Sequence, residues 1–346
     1  MKKRERRDKT NRVENHIFYV SLRIRKNIMR KLFTAILLAF SVVSFAQDKQ
    51  GKCFTDQFDV YSNKYAQEIV NFMSHKKFKG REAGTKENRK IMEYIVAEFQ
   101  KAGCPVERQE ISATSLAAVI GEPKPGKTYP EAMTNVIARI EGKDPHKLIV
   151  VGAHYDHLGN KKGIGIHPGA DDNASGIVAL LSLARMVKAS GITPECTILF
   201  CAWDGEEKGL LGSKYFVGDW YAKREPNDTI CRYMNFDMVG RTADPANPAV
   251  TFAWNDNYPF LRTQCDSAAT KIVQPFTILY DQRFGDGKGG SDYAPFSAHN
   301  IPFVAWMEDE MHADYHKPTD TPDKIHWIKL RKTILLSYGV LWQWMR

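Results

Sequence analysis

The sequence predicts an α/β fold with a mixed, mostly parallel central sheet and helices on both faces. Three observations lead there. Apolar runs at residues 148–151, 197–202, 233–239 and 301–306 read as strands, and the first, bounded by a charged loop, suits a strand buried on both faces. Stretches of helical periodicity alternate with these runs, which is the pattern of a sheet covered on both sides. No internal repeat or low-complexity linker interrupts the series.

Taken in order, residues 62–74 place Tyr65, Ile69, Val70, Phe72 and Met73 near helical spacing. The loop Phe78-Lys79-Gly80-Arg81-Glu82-Ala83-Gly84 follows, and Thr85 then reads as the cap of a second helix. Ile91, Met92, Ile95, Val96 and Phe99 form one face of that helix, and Gly103 stops it. Residues 106–140 contain strand-like pieces around a Gly/Pro-rich loop at 121–130. A helix is expected over 174–187, a strand over 250–254 and a helix over 260–272. The chain closes in a helix from about Ile328, with Ile334, Leu335, Tyr338, Leu341, Trp342 and Met345 on one stripe.

The 346 residues carry a formal charge of +9, but the excess is local. Residues 1–46 hold 12 of the 49 Lys/Arg and 3 of the 40 Asp/Glu, so the remainder carries 37 of each. That balance gives no electrostatic case for a nucleic acid or another polyanion as partner. Arg30-Lys31, the uncharged apolar run 32–46 and the ending Ser44-Phe45-Ala46 describe a secretory signal peptide. The run is too short for a membrane span. Met29 is the expected true start, so residues 1–46 comprise an over-called start and the signal, and 47–346 a single domain. The product is then exported, to the periplasm or beyond, with no membrane contact after processing. Six cysteines, Cys53, Cys104, Cys196, Cys201, Cys231 and Cys265, show no Cys-x-x-Cys spacing, which gives no support to a thiolate zinc or redox motif.

The chemistry concentrates just beyond the predicted strands. His154-Tyr155-Asp156 follows the run 148–153, and Gly169-Ala170-Asp171-Asp172-Asn173-Ala174-Ser175-Gly176 opens a helix. Asp204-Gly205-Glu206-Glu207 follows the run 197–203, Asn235-Phe236-Asp237 ends another strand, and His316-Lys317-Pro318-Thr319-Asp320-Thr321 precedes the terminal helix. In an open α/β sheet ligands bind outside the carboxyl ends of the strands. Each residue alone is weak: a lone His is more often structural, and an Asp at a helix start is more often a cap. Jointly, two His and three carboxylates suit two zinc ions.

These motifs, with Gly80-Arg81-Glu82-Ala83-Gly84-Thr85 and the continuation Gly209-Leu210-Leu211-Gly212-Ser213, resemble the secreted di-zinc aminopeptidases. That family includes bacterial leucyl-type aminopeptidases, glutamate carboxypeptidase and glutaminyl cyclase, and the resemblance spans about residues 60–340. It implies a zinc-exopeptidase (phosphorylase/hydrolase-like) domain with two Zn2+ per chain. His154 and Asp237 would hold one zinc, Glu207 and His316 the other, with Asp172 bridging and followed by a cis peptide. Glu206 would be the general base towards a metal-bridging water. Asp156 and Asp320 would orient His154 and His316, and Tyr315 could donate to the oxyanion. The substrates would be peptides, cut at the N-terminal residue. The full ligand set and the 209–213 continuation favour this over two alternatives on the same fold, a glutaminyl cyclase-type acyltransferase and a non-catalytic binding protein.

Asp171 receives no role, and His157, His167 and His312 read as background. The Gly-rich loop at 283–290 lacks a phosphate-binding pattern and reads as a site rim. No Gly-x-Ser-x-Gly or His-Glu-x-x-His occurs, which removes serine hydrolases of that type and single-zinc peptidases. Side-chain preference and oligomeric state are not written in the motifs.

Overall fold

Four parallel strands form the middle of the sheet: β3 (Asp144–His154), β6 (Cys196–Trp203), β7 (Thr229–Phe236) and β10 (Phe303–Met307). β6 and β7 both pair parallel with β3, and β10 pairs parallel with β7, so their carboxyl ends share one rim. The computed structural model describes residues 53–272, 276–281 and 290–346. The proposed signal segment 30–46 and residues 283–289 of the Gly-rich loop lie outside the described residues.

Two antiparallel strands, β2 (Ala132–Ile140) and β1 (Val106–Ser112), extend the sheet beside β6. On the other side β8 (Ala249–Trp254) runs antiparallel to β10, and β9 (Thr277–Asp281) is parallel to β8. The order is β1-β2-β6-β3-β7-β10-β8-β9, while β4 (Asn160–Lys161) and β5 (Gly165–Ile166) make a separate two-stranded ribbon. The sheet is thus mixed with a parallel centre, and it carries helices on both faces, as the alternating pattern predicts.

The helices start where hydroxyl caps stand. Ser62 accepts from the Tyr65 N–H at the start of α1 (Asn63–Met73), and Thr85 accepts from Asn88 N–H at 3.2 Å at the start of α2 (Lys86–Lys101). Between β1 and β2 the chain forms α3 (Ala113–Ile120), a helix that the strand-like reading of 106–140 does not contain. Ser112 and Ser115 cap each other's backbone there, and only the Leu116 side chain is buried in it. A local hydrogen-bond exchange, not an apolar stripe, starts this helix.

α4 (Gly176–Ser190) is apolar nearly all round, because it lies between β3 and the terminal helix α8 (Trp327–Trp344). The opposite face of the sheet is covered by α5 (Leu211–Lys223) and the short α7 (Ala294–Ala298), while α6 (Phe260–Ala269) packs against α8. Val150, Cys201, Trp203 and Tyr233 of the sheet meet Phe216 and Phe296 of these helices in one buried cluster. The Phe296 ring stacks on Tyr233 with centroids 3.7 Å apart. Because that ring is wholly buried, Phe296→Ala is expected to lower unfolding stability by about 3–5 kcal/mol. Urea denaturation of the purified chain measures this.

Candidate metal centre

Each chemically important segment begins where a central strand ends. β3 ends on His154, β6 on Trp203 just before Asp204, and β7 on Phe236 just before Asp237. The segment 169–175 crosses the same rim before α4. Gly169 sits at φ +60, where an added Cβ would lie 2.2 Å from the Asp172 carbonyl oxygen, so only glycine fits this turn. The Asp172–Asn173 peptide is cis.

The Asp172 carboxylate faces two clusters at once. Its Oδ1 lies 3.3 Å from His154 Nε2, which is also 3.3 Å from Asp237 Oδ1. Its Oδ2 lies 3.2 Å from His316 Nε2, which is also 3.2 Å from Glu207 Oε2. Ligands on a tetrahedral zinc at about 2.0–2.1 Å stand about 3.3 Å apart, so both spacings fit a divalent ion. The nitrogen and oxygen donors suit zinc.

His157 is part of the site, which corrects its reading as background. Its Nδ1 is 2.6 Å from Glu207 Oε1 and 3.8 Å from Asp172 Oδ2, and the ring is fully buried. With Nδ1 as donor, His157 fixes Glu207 through one oxygen and leaves the other turned to His316. Its place three residues after His154, in the same strand-end loop, is the sequence signal for it. His167 accepts no such role: its ring contacts the Gly159 carbonyl.

The supporting carboxylates act on backbone. Asp156 accepts from the N–H groups of Glu206 at 3.0 Å and Glu207 at 3.3 Å, and its Oδ1 stands 3.7 Å from His154 Nδ1. Asp320 accepts from the N–H groups of Asp171 and Asp172 at 3.0 and 3.1 Å. It therefore anchors the Asp172 loop and does not orient His316. Arg81, completely buried, donates to the carbonyls of Tyr155 and Gly169 at 2.7 Å, of Asp172 at 3.1 Å, and of Pro168. One guanidinium thus ties the His154 loop to the Asp172 loop.

A relay the motifs did not disclose ends on Asp237. Trp203 Nε1 donates to the Tyr233 hydroxyl, which donates to Asn235; Asn235 donates to Ser291, and Ser291 Oγ donates to Asp237 Oδ2 at 2.6 Å. Ser291 follows the Gly-rich loop 283–290 and is not itself a metal-ligand residue type, which explains why sequence did not single it out. Tyr315 stacks on His316 with centroids 3.8 Å apart.

Electrostatics separate the acids. Burial works against Asp172, yet His157, His154 and His316 hold it well below the usual carboxylate range. Burial, with Asp237, Asp292 and Glu207 close by, holds Glu206 well above it. A cavity of about 650 Å³ opens at this rim, lined among others by His154, Asp172, Glu206, Asp237, Tyr315 and His316.

A family model described as Peptidase family M28 matches residues 135–340. The chain belongs to peptidase family M28. Leupeptin-inactivating enzyme 1 of Streptomyces exfoliatus is 34% identical over 183 residues, which is 53% of this chain and 37% of that protein. The chain thus spans well under half the length of this curated relative. A zinc aminopeptidase from Bacillus subtilis superposes with a TM-score of 0.63 at 18% identity, over 81% of this chain and 94% of that one. A glutaminyl cyclase from Fimbriiglobus ruber gives 0.61 at 20% identity, over 82% and 94%. At these identities the two structures speak for the shared fold alone.

The contact of His157 with Glu207 in this M28 chain leads to a prediction. His157→Leu is expected to weaken zinc binding about 10–100-fold, read by competition with a chromogenic chelator. Unchanged affinity would return His157 to a packing role.

Proposed function

We propose that this M28 chain is an exported di-zinc aminopeptidase that removes N-terminal residues from peptides. The reading rests above all on Asp172, whose two oxygens each face a separate His/carboxylate cluster. In it His154 and Asp237 hold one zinc, His316 and Glu207 the other, and Asp172 bridges. The bound ions would acidify a water and polarise the scissile carbonyl.

Glu206 is the general base. It lines the cavity beside His154, Asp172 and Asp237. It takes a proton as the water attacks and returns it to the leaving amine, a task suited to a carboxyl held above its ordinary range. Asp156 fixes the direction of this side chain by holding the backbone N–H groups of Glu206 and Glu207. Asn173 keeps the loop in place by donating from its amide to the Phe236 carbonyl at 2.8 Å.

Residues 47–346 are read as one domain, freed of a signal that ends at Ala46. No helix among the described residues is long and apolar enough to cross a membrane. N-terminal sequencing of the exported product is expected to begin at Gln47.

The activity test uses the mature protein on a panel of aminoacyl-nitroanilides and on an N-terminal glutaminyl peptide, with and without chelator. Chelator-sensitive release of nitroaniline is expected; pyroglutamate formation alone would replace the peptidase reading by the cyclase one. Glu206→Gln should lower turnover about 10²–10⁴-fold while metal content stays that of the unmodified protein. Metal loss in that variant would mean that Glu206 and Glu207 have exchanged roles.

A further inference from the structure

A third group of ligand-type side chains lies beside this centre and takes no part in it. Asp171, Glu308 and His312 bring one ligand atom each within 4.8 Å of the others. His312 Nε2 is 3.4 Å from Asp171 Oδ2 and 3.7 Å from Glu308 Oε2. These separations approach the roughly 3.3 Å expected between ligands on a tetrahedral divalent ion.

The atoms that face one another here are buried, and no hydrogen bond closes between them. Asp171 is fully buried and Glu308 is 8% exposed. Asp171 Oδ2, both Glu308 carboxylate oxygens and both His312 ring nitrogens lack a hydrogen-bond partner. The peptide N–H of His312 also faces the Glu308 carboxylate. Buried polar atoms left without partners are rare and costly, and three such side chains converging on one point share a need for a cation.

Of the chain's own cations, Lys329 and Arg241 act on Glu308 from nearby, and neither hydrogen-bonds its carboxylate. Lys329 is the buried ammonium facing Asp171, Asp309 and Glu308, but its Nζ donates to the Val239 carbonyl at 2.8 Å. Asp309 accepts from the Thr242 hydroxyl at 3.0 Å and from the Ala243 N–H. Asp171 Oδ1 accepts from the Gly240 N–H at 2.6 Å, which leaves Oδ2 turned towards His312.

We propose that Asp171, Glu308 and His312 form a separate mononuclear site for a divalent transition ion such as zinc. One imidazole and two carboxylates select a borderline ion over calcium or magnesium. Glu308 lines the same cavity as Glu206, so a water can complete the coordination. An ion there joins the loop after β10, which carries His316, to the loop that carries Asp172.

The test is anomalous diffraction at the zinc edge from crystals of the full mature chain, purified with stoichiometric zinc and not soaked. A peak about 2.0–2.2 Å from Asp171 Oδ2, Glu308 and His312 Nε2 is expected. In solution, Glu308→Gln should lower zinc by one equivalent per chain relative to the unmodified protein, read by plasma mass spectrometry. No peak at this point with the His154/His316 centre filled overturns the proposal, as does unchanged zinc in Glu308→Gln. Either result would mean that Glu308 carries a proton instead of facing a cation. A peak here with the His154/His316 centre empty would support this site while removing the di-zinc reading.

Discussion

Carboxylates crowd the rim of this sheet, with Arg81, His154, His157 and His316 set among them. Asp156, Asp172, Asp204, Glu206, Glu207, Asp237, Asp292 and Asp320 all gather at the carboxyl ends of the four parallel strands. Like charges in a desolvated place repel, and some must then hold a proton. Burial, together with Asp156, pushes Asp204 up to about 7. Burial, with Asp237 and Asp156 adding to it, does the same for Asp292. Protonation at some of these acids, the buried Arg81 guanidinium, the imidazoles and backbone N–H donors offset part of this crowding.

The rest of the local structure follows from holding such a cluster in one geometry. Arg81 takes up carbonyl oxygens from both ligand loops, and Asp156 and Asp320 take up the N–H groups that those loops leave free. The backbone is thus fixed from both of its polar sides. The ligand side chains need not support one another and stay free to face the site. Gly152 shows how tight the packing behind them is. A Cβ there would meet Trp203 Nε1 at 2.3 Å and the Tyr233 hydroxyl at 2.5 Å, the pair that starts the relay to Asp237.

What sequence made legible was what a strand end dictates. The runs of β3, β6, β7 and β10 announce buried strands, and a residue at a strand's end or within a few places past it must sit at the rim. His154, Glu206, Glu207 and Asp237 are of that kind, and the structure brings them together with Asp172 and His316. Partners set by the folding of loops were not legible in the same way. Whether Asp320 meets an imidazole or a backbone N–H depends on how two loops far apart in the chain lie against each other. Ser291 reaches Asp237 from 54 residues further along the chain. α3 escaped the pattern because capping hydroxyls, not periodic burial, define it.

The Glu206-Glu207 pair shows how adjacency can yield opposite chemistry. Gly205, at φ +73, turns the chain sharply after β6, and Asp156 holds both following N–H groups in one hand. The two side chains then leave in different directions. Burial and Asp172 oppose the charge on Glu207, but His157 and His316 hold it below its ordinary range. Burial, with Asp237, Asp292 and Glu207 adding to it, holds Glu206 well above its ordinary range although His154 favours its charge. Neighbouring groups whose environments drive their proton affinities apart are the signature of divided labour in a site. On the proposed reading, the division between an imidazole-bound carboxylate and a proton carrier is set by what surrounds each residue. One turn of backbone is enough to sort them.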